Sequence, residues 1–201
     1  METNYNIRRD RPSDINQHME ILKNYAQQCE SVLELGVRGV VSSWAFAYGL
    51  TLNESQNKLL FCNDLVPCDL SLLQSECNLN KVELQSEWCS DLQLEIPDNS
   101  FDLVFIDTFH VYGQLRRELQ KFSKVARKYI IMHDTTVDAE HGEARRLGLN
   151  VRQLSKDTGL PEDEIERGLA PALDEFLKGS EWRVREVFTN NNGLTVLERN
   201  Y

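Results

Sequence analysis

The chain has 201 residues, 41% hydrophobic and 27% charged, which is the length and composition of one globular domain with a buried core. Its formal net charge of -10 counts against a nucleic-acid partner, because that affinity rests on lysines and arginines neutralising phosphates. No apolar run approaches the roughly 20 residues of a bilayer span, and the polar start METNYNIRRDRPSD has no signal-peptide core, so a soluble, cytoplasmic protein without a membrane partner is expected.

In chain order, Ser13 or Asp14 is placed to cap a helix reaching about residue 29, with Ile15, Met19, Leu22 and Ala26 at helical spacing. A first strand is expected over 31–35, then the turn GVRG, then a helix over 44–50 capped by Ser42 or Ser43. Residues 58–62 read as a second strand ending in Asn63-Asp64, 70–76 as a short helix and 81–84 as a third strand. A fourth strand over 101–106, a long helix over 112–126 and a fifth strand over 128–132 follow. In 151–179, Pro161 and Pro171 sit where helices start and Gly179 where one stops, which predicts two short inserted helices. WRVREVF and LTVLERN flank TNNNG and read as a closing antiparallel hairpin. Strands alternating with helices imply right-handed crossovers and a mostly parallel, doubly covered α/β sheet of seven strands. The expected division is an N-terminal helical segment (1–30), a ligand-binding core (31–136), a helical insertion (137–180) and the hairpin (181–201), all in one domain. Cys29, Cys62, Cys68, Cys77 and Cys89 are odd in number and contain no CxxC pair, so reduced thiols are expected.

The chemistry concentrates at strand ends. FDLVFIDTFHVY and KYIIMHDTT are apolar runs that stop at Asp107 and Asp134, so two parallel strands would deliver two carboxylates to one sheet edge, where open α/β sheets bind ligands. The competing reading makes Asp107 an N-cap of the following helix. By strand alternation His133 should face away from Asp134 and pack, and His18 reads as a surface residue. Glu34, Gly36 and Gly39 in the first turn suit close approach of a ligand to the backbone, or simply a tight connection. The turn has GxxG, not the GxGxxG of a dinucleotide site, which favours a ligand without a pyrophosphate. Asp64 stands where nucleoside-binding domains place a carboxylate on ribose, and Glu87 with Trp88 could hold an adenine, or be a solvated acid beside a half-buried ring.

Together VLELGVRG, LLFCND, FDLVFIDTFHVY and YIIMHDTT resemble the class I S-adenosylmethionine-dependent methyltransferases, over nearly the whole chain. IDxxHxY followed by a strand ending in HDT looks like the sugar-directed group, with the macrolide-sugar and rhamnosyl O-methyltransferases and the cephalosporin hydroxylase relatives. A likeness to the methyltransferase part of multidomain glycan-building proteins of alga-infecting large DNA viruses points the same way. The resemblance implies a Rossmann-like fold, S-adenosylmethionine, a divalent metal such as Mg²⁺ on Asp107 and Asp134, and His110 as general base. Relatives often carry Asp or Asn where this chain has Thr135, so Thr135, a water or the substrate would complete the metal's shell. The implied acceptor is a sugar or glycan hydroxyl, a deoxyhexose such as rhamnose first. A catechol-type phenol is the enzymatic alternative, and an inactive cofactor-binding module the non-enzymatic one. The inserted helices would then lid the acceptor, and Glu143, Arg145 and Arg146 would reach it. A neutral imidazole is needed of a base, so activity is expected to rise with pH through the ordinary histidine range.

Overall fold

The apolar runs become the strands of a single sheet. The computed structural model describes residues 1–200. Its strands are β1 (Ser31–Leu35), β2 (Leu59–Asp64), β3 (Glu83–Trp88), β4 (Phe101–Ile106), β5 (Ala126–His133), β6 (Trp182–Phe188) and β7 (Leu194–Arg199). They lie in the order β3-β2-β1-β4-β5-β7-β6, with β1 to β5 parallel and β7 antiparallel to both neighbours. The seven-stranded sheet and its closing hairpin are as expected. β1 and β4 are buried at every position because helices cover both faces of the sheet centre, which is why they read as continuous apolar runs.

The helices are α1 (Glu2–Asp10), α2 (Met19–Ala26), α3 (Ser42–Thr51), α4 (Ser71–Leu79), α5 (Tyr112–Val125), α6 (Glu143–Arg146), α7 (Val151–Thr158), α8 (Glu162–Glu166) and α9 (Leu169–Leu177). α2, α3 and α4 bury Leu22, Trp44, Phe46 and Leu73 against Leu60 and Phe105 on one face. On the other, α5 and α9 bury Leu115, Leu119, Phe122 and Leu169 against Leu33, Val104 and Ile130.

One helix is added at the start and four expectations change. The polar start forms α1, held by Tyr5, which is buried and lies 5.0 Å from the Tyr48 ring, while Arg8 sits over Trp44. The helix expected from 14 to 29 is a 3₁₀ turn, Asn16–His18, followed by α2. The N-cap position of the turn is Ile15 and not Ser13, which braces it from outside: Ser13 Oγ accepts from Asn16 N (3.0 Å) and Asn16 Oδ1 accepts from Ser13 N (3.1 Å). Ser42 and Ser43 lie inside α3 and do not cap it, since buried Glu34 takes the Ser42 hydroxyl instead. β3 runs later than its sequence suggests, to Trp88, because an edge strand with solvated side chains needs no apolar run and is held by backbone bonds to β2. Residues 151–179 hold three helices, one more than the prolines signal, and α6 precedes them; Pro161 is at the N-cap position of α8, and Pro171 lies in the first turn of α9.

Candidate active site

The sheet's carboxyl edge carries two groups of acids that behave differently. At the β1 exit, Gly36 adopts φ +88°, and a Cβ there would lie 1.9 Å from the Asp107 carbonyl oxygen, so only glycine fits where this turn crosses the end of β4. Gly36 N donates to Asn63 O and Asp107 N to Leu35 O, both at 2.9 Å, which locks the exits of β1, β2 and β4 together. Gly39 is under no such demand, its nearest neighbour being Val41 at 3.8 Å. Asp64 Oδ2 accepts from Val37 N (2.8 Å) and Arg38 N (2.9 Å), and its Oδ1 accepts from Val66 N (3.0 Å). The group expected on ribose thus also braces the turn, whose Arg38 and Val40 have left-handed φ of 40° and 55°. Arg38 pairs with Asp14 across the turn.

Glu34 has no exposed surface. It accepts from Ser42 Oγ at 2.5 Å and meets Cys62 Sγ at 3.4 Å, and burial pushes its carboxyl up to about 7. Expected at the ligand, it instead supports the turn from beneath, because strand alternation puts it on the α3 side with Val32. Trp88 is half-buried and lies beside Asp64 in the β2–β3 register, while Glu87 is exposed.

At the β4 and β5 exits the acids face each other. His110 Nε2 lies 3.1 Å from Asp107 Oδ1 and 3.2 Å from Asp134 Oδ2; its Nδ1 lies 3.2 Å from Glu143 Oε2 and 3.5 Å from Asp138 Oδ2. Four carboxylates therefore enclose one imidazole. Burial alone would lower its pKa, but the bond to Asp107 and the nearby carboxylates of Asp138 and Glu143 outweigh that and push it up to about 12. These carboxylates favour the protonated form of the ring. Burial would raise Asp107, yet bonds from His110 and His133 hold it well below the usual carboxylate range. Asp107 is no helix cap: the N-cap of α5 is Val111, without a side-chain bond.

Asp138 and Glu143 come from the loop after β5. Asp138 N donates to Asp134 O (3.1 Å), Glu143 N donates to His110 O (3.0 Å), and Arg146 grips Asp138 with two bonds of 2.6 and 2.8 Å. Glu143 and Arg146 thus reach the site residues themselves. Asp138 escapes sequence reading because an acid in TTVDAEHGE has no periodicity to mark it; HDTTVD, with an acid four residues after Asp134, is the only hint.

His133 also departs from expectation. Its Nδ1 lies 3.0 Å from Asp134 Oδ2 and 3.4 Å from Asp107 Oδ1, because Asp134 turns to φ 57° just past the end of β5 and alternation stops there. Burial would lower the imidazole, but hydrogen bonds to the two aspartates prevail and push it up to about 10. His18, expected on the surface, is fully buried, with its ring 5.6 Å from that of His133 in a T-shaped contact and its pKa lowered chiefly by burial.

Ligand atoms of Asp107, His110 and Asp134 lie within 4.8 Å of one another, and a second group is formed by His110, Asp138 and Glu143. Converging carboxylate oxygens, with the buried Nδ1 of His110 lacking an aligned hydrogen bond, are a donor set that fits a hard divalent cation. Thr135 does not join them as it stands: its Oγ1 accepts from Thr195 Oγ1 at 2.9 Å.

A parallel sheet with the order 3-2-1-4-5-7-6 and an antiparallel seventh strand is the class I methyltransferase fold. Among solved structures, the chain is similar to the O-methyltransferase TomG of Streptomyces achromogenes, involved in tomaymycin synthesis and solved with S-adenosylmethionine (16% identity, 92% of this chain and 81% of that one, TM-score 0.57). It is also similar to a putative O-methyltransferase from Klebsiella pneumoniae (16%, 98% and 87%, TM-score 0.56) and a putative caffeoyl-CoA O-methyltransferase from Staphylococcus aureus (14%, 92% and 83%, TM-score 0.55). No family model matches the chain, and no curated protein sequence matches it. Among the described residues no helix is long and apolar enough to cross a membrane.

Proposed function

We propose that the chain is an S-adenosylmethionine-dependent O-methyltransferase that uses a divalent cation. The observation that carries this is the convergence of Asp107 and Asp134 from adjacent parallel strand ends, beside the glycine turn that the cofactor would occupy. Gly36, Asp64 and Trp88 form the cofactor side, and Asp107 and Asp134 hold the metal. When bound, the metal would hold two adjacent acceptor oxygens and ease loss of the hydroxyl proton. The sulfonium methyl is already electrophilic, so the residues' main task is alignment of the oxygen with it. The carbon–sulfur bond breaks as the carbon–oxygen bond forms, and the hydroxyl proton leaves to a base. His110, between Asp107 and Asp134, is the candidate for that base, and a cation on the two aspartates would weaken the ring's hold on a proton of its own.

The acceptor favoured by the similar structures is a small catechol-type phenol, ahead of a sugar. One observation supports a deoxyhexose such as rhamnose as the second reading. A cleft of about 590 Å³ beside the site is lined by Thr136, Val137, Ala139, Glu140, His141, Arg145 and Arg146, with no Phe, Tyr or Trp, and its charged and hydroxyl groups suit a polyhydroxylated ring.

The test is calorimetric titration with S-adenosylmethionine, with and without Mg²⁺, followed by an acceptor screen of catechols and rhamnosides. Saturable cofactor binding and metal-dependent methylation of one class are expected. Absence of cofactor binding under both conditions would overturn the reading.

A further inference from the structure

The turn between β6 and β7 has three successive left-handed residues, Asn191 (φ 47°), Asn192 (φ 70°) and Gly193 (φ 100°). Non-glycine residues there cost about 1 kcal/mol or more each, so the surroundings must hold them. What holds them is a set of bonds from three distant segments. The Asn191 side chain donates to Ser13 O (2.9 Å) and accepts from Gln17 N (2.9 Å). Asn192 O accepts from the amides of Thr136 and Val137, both at 3.0 Å, in the loop that follows Asp134. Asn191 O lies 3.1 Å from His133 Nε2 and 3.2 Å from His18 Nε2. A carbonyl only accepts, so Nε2 carries the hydrogen on both rings. A carboxylate likewise only accepts, so Nδ1 of His133 carries a hydrogen too and is aimed at Asp134 and Asp107, at 3.0 and 3.4 Å.

We propose that His133 is a positioning residue for the Asp107–Asp134 pair, its ring oriented by the Asn191 carbonyl of the closing hairpin. The proposal rests on the metal-dependent reading above and extends it. A ligating carboxylate whose orientation is fixed by a hydrogen bond loses less freedom when it binds, and removal of such partners typically costs ~10–100-fold in affinity. His133 has two separable bonds, and two substitutions separate them. Asparagine places its amide near Nδ1 and keeps the bond to the aspartates, whereas glutamine reaches Nε2 and keeps only the bond to Asn191.

The test is calorimetric titration of the intact protein and of His133→Phe, His133→Asn and His133→Gln with Mn²⁺, with melting temperatures alongside. His133→Phe and His133→Gln are expected to bind Mn²⁺ at least ~10-fold more weakly, and His133→Asn to recover most of that affinity. Unchanged or tighter binding in His133→Phe and His133→Gln would overturn the proposal. So would equal losses in all three, which mark a merely structural residue. If His133→Phe fails to fold, His133→Gln against His133→Asn decides alone. An unsubstituted protein that binds no Mn²⁺ would refute the metal-dependent reading itself and this inference with it, a result distinct from one in which only the variants behave unexpectedly.

Discussion

The two halves of the sheet's carboxyl edge use acidic residues in opposite ways. Where β1 and β2 end, Asp64 and Glu34 are committed to the chain itself, one to the amides of Val37, Arg38 and Val66, the other to Ser42 in the helix behind. Where β4 and β5 end, Asp107, Asp134, Asp138 and Glu143 crowd around His110 and His133, with Arg146 paired to Asp138. The first half is a braced turn whose acids are partnered within the chain. The second is an excess of negative charge held by two imidazoles, the electrostatic signature of a cation site. The lesson is that a carboxylate's partners, more than its position at a strand end, tell whether it supports or reacts.

The largest expected effect is at the second half. Asp107→Asn and Asp134→Asn should each lower metal-dependent turnover by roughly 10³-fold, since several kcal/mol of charge stabilisation depend on the cation. Initial rates across a Mg²⁺ series check this, and saturation at the unsubstituted rate would remove the pair as ligands. Next comes the seam between the halves. Gly36→Ala forces a Cβ against the Asp107 carbonyl at 1.9 Å and strains φ +88°, so a destabilisation of roughly 3 kcal/mol is expected in urea denaturation. Gly39→Ala, with open space around it, is the control, and equal losses in both would contradict the difference drawn between the two glycines.

How much of this is legible without coordinates depends on burial. β4 matches its predicted bounds because a strand buried on both faces must be apolar throughout, and the Asp107–Asp134 pair follows from two such strands ending side by side. β3 and α1 are poorly legible because their side chains are mostly solvated and one or two buried residues, such as Tyr5, decide the outcome. The orientation of His133 fails for a local reason, since alternation ends where Asp134 becomes left-handed, and no rule of composition marks an aspartate for that conformation. His18 and Asp138 owe their places to contacts across the fold, from Asn190 and Asn191 in one case and His110 in the other.

Glu34 sharpens the comparison through pH. Its carboxyl, ordinarily near 4.5, is raised by burial to about 7, so the native state keeps a proton that the unfolded chain has already lost. Stability should therefore fall as pH rises between these two values, by up to roughly 3 kcal/mol. Denaturation midpoints at pH 5 and pH 8 for the parent and Glu34→Gln isolate this contribution. The variant should lose less stability than the parent on going to pH 8, and parallel losses would show that Glu34 titrates normally.

The smallest expected effect separates bracing from ligand contact at Asp64. If the carboxylate only holds the turn, Asp64→Ala lowers the denaturation midpoint by about 1–2 kcal/mol, the scale of charged bonds to amides near the surface, and leaves an assembled cofactor site unchanged. If it also meets the ribose, affinity for S-adenosylhomocysteine should fall by about tenfold or more, for the loss of one charged hydrogen bond. The second outcome is expected, because each carboxylate oxygen has two acceptor directions and the three amides leave Oδ1 with one to spare. Calorimetry on Asp64→Ala beside Asp64→Asn decides it. The amide keeps one oxygen for the turn and gives up the negative charge, so a loss of affinity in Asp64→Asn with its midpoint preserved would place a ligand on Asp64, and a loss of midpoint alone would leave it a brace.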